Sequence, residues 1–240
     1  MKKTCALLLI ILLFYSVNTV SAAEPIEATV NGERVRFDQP PIVVDGRILV
    51  PIRAIAEKMG AYVDWGGNDR SVRIEYYDHI IILGNNSVSM RVINRVKQTE
   101  DIVTLDVPPI IHSARTLLPI RAIVETLGYT INWNATSRTI SIAPQTRTGV
   151  THDGVAWTYT GGIVEGEYYG RGQTVWDNGK VYVGDYIDGV FHGKGRIEWE
   201  NGDWYDGDWV EGLWTGQGTY THSDGTVLTG RWVDCKFVGN

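Results

Sequence analysis

Two pairs of side chains in this sequence have types and spacing that chemistry uses: Arg53 with Glu57, and Arg121 with Glu125. A guanidinium and a carboxylate four residues apart on a helix can clamp a ligand carboxylate or take part in proton transfer. The plainer reading is a helix-surface ion pair worth about 0.2 to 0.5 kcal/mol. Its recurrence in two similar stretches favours a shared structural task, a partly buried Arg bracing the preceding loop. His79, His112, His152, His192 and His222 stand singly, without His-x-His spacing, and read as surface or packing residues. Neither a Gly-Lys-Ser phosphate loop nor a Gly-x-Ser-x-Gly elbow occurs. Catalytic, cofactor-binding and metal-binding residues are therefore each read as none.

The second half carries a different kind of candidate. Seven of the nine Trp lie in residues 151–240, more than a small core needs, and Trp176, Trp199, Trp204 and Trp214 are the candidate ligand-binding residues, presenting flat apolar area to a sugar or peptide. Packing within a sheet is the plainer alternative. Glu165, Glu167, Asp185, Asp188, Asp206, Asp208 and Glu211 suggest calcium or an acid–base pair at first sight. Most recur at fixed phases near turns and no EF-hand loop is present, so they read as solvated turn and strand-edge groups.

The elements that position these residues follow from two repeats. Residues 47–60 read RILVPIRAIAEKMG and residues 115–128 read RTLLPIRAIVETLG, an offset of 68 that also relates Trp65 to Trp133 and Arg70 to Arg138. Ile52, Ile55, Ala56 and Met59 have i, i+3, i+4, i+7 spacing, which predicts a short helix. Pro51 and Pro119 suit its first position, where a missing N–H costs nothing, and Gly60 and Gly128 suit its left-handed end. Asn31–Gly32 predicts a hairpin turn. One domain of strands and two short helices with an internal duplication is expected over residues 24–143.

The motif Asn31, Gly32, Pro40, Pro41, Asp45, Gly46, Arg47, Leu49, Pro51, Arg53, Glu57, Gly60, Trp65 and its second copy resemble the copper amine oxidase N-terminal-like domain of secreted and cell-surface bacterial proteins. The second copy departs where Ala114 replaces the Gly matching Gly46 and where Thr99–Glu100 replaces Asn31–Gly32, so its turns are expected to differ. In the oxidases this domain is a non-catalytic, stalk-like appendage. The resemblance thus implies neither copper nor amine oxidation, and Pro51, Arg53, Glu57, Gly60, Pro119, Arg121, Glu125 and Gly128 are read as its structural motif.

After a linker and lead-in strand over residues 144–158, the period becomes 23. Tyr159, Tyr182, Tyr205 and Leu228 open four units; Gly170-x-Gly172, Gly193-x-Gly195 and Gly216-x-Gly218 share a phase. Each unit predicts a hairpin in which Gly lets an aromatic ring lie on the backbone. Tyr186 and Trp209 share one phase, Tyr168, Phe191 and Trp214 another. These units look like MORN repeats over residues 159–240, three full and one truncated. Cys235 stands where the others have Gly166, Gly189 and Gly212, an expectation of an altered last turn. The fold class expected is mainly β: a duplicated α+β domain followed by an elongated single-layer antiparallel sheet.

Residues 151–240 hold six Lys and Arg against 14 Asp and Glu, a net −8. That balance argues against nucleic acid and against an anionic membrane surface. Residues 1–23 combine a basic start, an apolar run and small residues, the pattern of a secretory signal peptide. Its cleavage removes Cys5 and leaves Cys235 without an intramolecular partner. The expectation is a non-catalytic secreted or envelope-associated binding or scaffold protein, its partner a protein or cell-wall polymer, with the aromatic sheet as interaction surface. Binding of envelope polysaccharide by exposed aromatics is the alternative, and an enzyme with an inter-domain carboxylate site the weaker one.

Overall fold

A computed structural model describes residues 24–66 and 71–239; the signal-peptide reading over residues 1–23, and Arg70, lie outside the described residues. The chain opens with strands β1 (Glu27–Val30) and β2 (Glu33–Arg34), turned at Asn31 and Gly32 with φ +54° and +80°. Next come β3 (Ile42–Val44), β4 (Arg47–Pro51), helix α1 (Ile52–Lys58), β5 (Tyr62–Trp65) and β6 (Val72–Tyr76). Three further strands, β7 (His79–Leu83), β8 (Ser89–Asn94) and β9 (Thr99–Thr104), extend the meander. The first series then recurs as β10 (Ile110–His112), β11 (Arg115–Pro119), α2 (Ile120–Thr126), β12 (Thr130–Asn134) and β13 (Thr139–Ala143).

Antiparallel pairing of β4 with β11 sets Val50 opposite Leu118, its own counterpart at the 68-residue offset, and Leu49 opposite Pro119. Two equivalent strands paired this way lie about a local two-fold axis. Ion pairs obey the same axis: Arg47 Nε reaches Asp106 at 2.5 Å, while Arg115 Nε reaches Asp38 at 2.7 Å. The equivalence is not continuous. Thr99 and Glu100, matched to the Asn31–Gly32 turn, sit inside β9 on β8, whereas β1 pairs in parallel with β13. By contrast Ser113 and Ala114 keep the left-handed turn of Asp45 and Gly46, with φ +47° and +59°.

Apolar spacing places Ile55, Ala56, Ile123 and Val124 fully inside the core. Pro51 and Pro119 are the N-caps instead of the first helical residues: with ψ 97° and 108° they end extended strands, so each proline belongs to the β side of the joint. Gly60 and Gly128 close the helices at φ +89° and +82°.

The first half forms three sheets, and in the second half nine antiparallel strands make one sheet in chain order: β14 (Gln145–Val150), β15 (Ala156–Val164), β16 (Glu167–Trp176), β17 (Val181–Ile187), β18 (Val190–Glu198), β19 (Trp204–Val210), β20 (Leu213–Thr221), β21 (Val227–Val233) and β22 (Lys236–Gly239). Within the stretch 144–158, expected as a linker with a lead-in strand, β14 already belongs to the sheet, pairing with β15 from Gln145 to Val150 across a turn at residues 151–155. Nor does the last turn differ. Cys235 adopts φ +63° after Asp234 at +45°, the conformation its Gly counterparts take.

Candidate functional site

The repeat builds a wall of rings from three positions per unit. Tyr159, Tyr182 and Tyr205 are fully buried, and each hydroxyl donates to the carbonyl three residues on, in Gly162, Asp185 and Asp208, at 2.8, 3.0 and 3.1 Å. Each ring lies against a cross-strand pair of glycines, so a Cβ at Gly195 would stand 2.3 Å from the Tyr182 hydroxyl. On the other side the same tyrosines stack on Tyr168, Phe191 and Trp214, with centroids 3.9, 3.8 and 4.7 Å apart and planes within 14°. Tyr186, Trp209 and Trp232 close the wall edge-on, and the indoles of Trp209 and Trp232 donate to Gly195 O and Gly218 O at 2.8 and 3.0 Å. Burial raises the Tyr205 phenol to about 12.

The four candidate Trp are distributed unevenly about this wall, of which Trp214 is itself a part. Trp214 and Trp199 meet at 5.4 Å, and both approach Tyr220, at 5.5 and 5.8 Å. Trp176 holds the position of Trp199 one unit earlier, edge-on to Phe191 and beneath Lys180 Nζ at 3.9 Å. Trp204 does not join them. Strand alternation puts it on the face opposite Tyr205 and Trp209, where the Arg196 guanidinium covers it at 4.1 Å. All four are half-buried.

Two residues that sequence reasoning passed over complete the patch. Tyr220 donates to Asp203 Oδ2 at 2.7 Å, and the Ser223 amide donates to Asp203 Oδ1 at 2.7 Å. These bonds, the tyrosine's first, hold the Asp203 carboxyl down at about 2. Trp199, Tyr220, Asp203 and Lys180 line a shallow depression of about 610 Å³. Tyr220 was hidden because its counterparts are Thr174 and Ile197, so no period marks it; Asp203 follows a turn whose other copies carry Lys180 and Thr226.

Of the seven carboxylates, Glu167, Asp206 and Glu211 are exposed and the other four are engaged in two ways. Glu165 and Asp188 both reach Lys97 of the first half, at 3.1 and 3.0 Å. Asp185 and Asp208, expected to be solvated, instead sit at β-bulges and accept the Lys194 and Gln217 amides at 2.9 and 2.7 Å. Asp185 accepts the Tyr77 hydroxyl too, at 2.7 Å, so its lone pairs are committed to holding the two halves together. Among the described residues no three His, Cys, Asp or Glu gather as a metal site.

Elsewhere the two halves share a core. Tyr169 of β16 is buried among first-half apolar residues; its hydroxyl accepts the Asp78 amide at 3.0 Å, and its ring meets His79 edge-on at 4.8 Å. His79 is buried there, with Nδ1 3.1 Å from Asp78 Oδ1. Gly128 has a second role beyond ending α2: a Cβ would meet the Ile163 backbone at 2.7 Å, where Ile163 N donates to Gly128 O at 3.0 Å.

Pro51, Arg53 and Glu57, and their counterparts Pro119, Arg121 and Glu125, line two corresponding clefts, whereas Gly60 and Gly128 line neither. Arg53, Glu57, Trp65 and the Arg115–Asp38 pair border one of about 660 Å³; Arg121, Glu125, Trp133 and the Arg47–Asp106 pair border another of about 720 Å³. Arg53 does not brace the preceding loop. It is 55% exposed, its guanidinium lies 4.1 Å over the Trp65 ring and 3.4 Å from Val63 O on the following strand, and Glu57 is 3.8 Å away. Arg121 instead meets Glu125 at 3.2 Å.

Residues 29–142 match the family model of the copper amine oxidase N-terminal domain, a single match running across both strand–helix units. Residues 182–204 and 205–227 match the MORN repeat, leaving the unit from Tyr159 and the last unit outside the matches. No curated protein matches the chain.

Proposed function

We propose that this is a non-catalytic binding or scaffold protein, secreted or held in the cell envelope, whose nine-stranded sheet offers its aromatic face to a protein or cell-wall polymer. One observation carries the reading: the ring wall, which in this unit ends in Trp214 stacked on Tyr205, is continued by the half-buried Trp199 and Tyr220 towards the depression beside Asp203. Rings held rigid by stacking lose little freedom when a partner covers them. The MORN matches support a binding or scaffold role, and the composition of residues 1–23 supports export. The 68-residue offset and the local two-fold support reading the strand–helix units as two copies of one motif.

The test is retention of cell-wall polymer and of secreted proteins by the immobilised chain. Replacing Trp199 and Trp214 by Ala is expected to lower retention about tenfold or more while the far-ultraviolet spectrum stays native. Retention indifferent to both substitutions, or absent beside a measurable turnover, overturns the proposal.

A further inference from the structure

We infer that the two clefts of the first half are a matched pair of subsites for a linear, uncharged polysaccharide. The inference goes beyond the proposed function, because it rests on other residues in the other half of the chain. Each cleft sets an indole, Trp65 or Trp133, beside an i, i+4 Arg–Glu pair, and closes with an Arg–Asp pair contributed across the local two-fold.

The chemistry of the lining selects the ligand. In the Trp133 cleft each guanidinium has its own carboxylate, Arg47 with Asp106 and Arg121 with Glu125, so no net charge is left to hold an ion. A wholly apolar ligand would strip water from four ionised groups and give nothing back. A sugar ring meets both conditions. Its C–H face suits the indole, and its hydroxyls both donate and accept, so they can answer the N–H groups and lone pairs that the ion pairs leave unused. Volumes of about 720 and 660 Å³ accommodate a sugar unit or two.

Duplication on one rigid domain selects a polymer. A free monosaccharide gains nothing from a second, distant site, whereas a chain that presents the same unit repeatedly turns the second contact into an intramolecular one. The subsites are unequal. Arg36, where the other cleft has Thr104, gives the Trp65 cleft a third guanidinium beside the carboxylates of Asp38 and Glu57, so the balanced lining belongs to the Trp133 cleft. Arg53 lies on the Trp65 ring at 4.1 Å, while Arg121 is drawn to Glu125 at 3.2 Å, and no cation stacks on Trp133 among the described residues. Trp133 is the primary platform; Trp65 serves once Arg53 moves aside.

The experiment is calorimetry and affinity electrophoresis of the full chain with hydroxyethyl cellulose, cellohexaose and chitohexaose as neutral probes and polygalacturonate as the anionic one. A neutral polymer is expected to bind about 100-fold more tightly than its disaccharide. Trp133→Ala should weaken polymer binding at least about tenfold and Trp65→Ala less, with both together abolishing it. Because Trp133 packs against the core, Trp133→Phe, which keeps a ring, and the exposed Glu125→Gln provide folded comparisons: the first should retain most binding, the second lose it several-fold. Trp199→Ala with Trp214→Ala should leave this binding unchanged, which separates its failure from that of the proposed function. No binding of any neutral probe, binding indifferent to the Trp65 and Trp133 double variant, or binding to polygalacturonate alone that salt removes, each overturns the inference.

Discussion

Asp203 shows how much one half-buried side chain can organise. Its carboxylate accepts hydrogen bonds from the Tyr220 hydroxyl and the Ser223 amide, which ties the strand after one turn to the turn of the next unit and orients Tyr220 towards Trp199. Both bonds favour the ionised form, so the folded protein holds the group at about 2, against about 3.9 in an unfolded chain. A depressed carboxyl stabilises the fold above the unfolded value and loses that contribution as pH falls through the folded one. Unfolding midpoints followed by tryptophan fluorescence should therefore fall more steeply between pH 4 and pH 2 in the native chain than in Asp203→Asn. Identical slopes would show that this carboxylate does not couple to stability.

At the scale of the element, the 23-residue unit works because glycine and tyrosine answer each other. A strand glycine ordinarily costs stability, having no side chain to pack; here the missing Cβ is the space in which Tyr182 lies. Gly195→Ala forces an overlap with the Tyr182 ring, and overpacking of this kind costs about 1–3 kcal/mol. Gly212 has nothing within 4 Å of its would-be Cβ; its φ of +82° makes substitution a backbone question instead. Chemical denaturation of Gly195→Ala should show a lowered midpoint with an unchanged slope, and a midpoint equal to the native one would remove the packing argument. The strand–helix joint of the first half follows a different logic. Pro51 ends a strand, its fixed φ of −67° being equally good for extended chain, so the helix starts one residue later than the proline suggests.

The whole molecule is joined by Tyr169, which belongs by sequence to the MORN-like sheet and by packing to the other core. Tyr77 to Asp185, Lys97 to Glu165 and Asp188, and Gly128 to Ile163 add polar ties along the same junction. Removing a buried aromatic costs about 3–5 kcal/mol, and at this position the loss falls on the contact between halves. Calorimetry of Tyr169→Ala should resolve two thermal transitions where the native chain gives one. A single transition merely shifted downwards would mean that the polar ties suffice to couple the halves.

Local pattern carried much of this architecture. Asn31–Gly32, the i, i+3, i+4, i+7 helix faces, the terminal glycines and the 23-residue phase each act over a few residues, where backbone sterics and hydrophobic periodicity decide the outcome. They made the mainly β fold, both short helices and the hairpin array legible. Of the candidate patch, the sequence singled out Trp199 and Trp214 by composition, but it grouped them with Trp204, because strand alternation separates faces only once the strand's register is known. Other features depend on groups far apart in the chain meeting in space. The parallel contact of β1 with β13, the exchange of Arg47 and Arg115 between units, the burial of Tyr169 and the recruitment of Asp185 by Tyr77 belong to that class. Repetition along a sequence states that two segments are alike; only the tertiary packing decides that they face each other across an axis and enclose two clefts, because that depends on which apolar faces bury one another and which polar groups must then find partners.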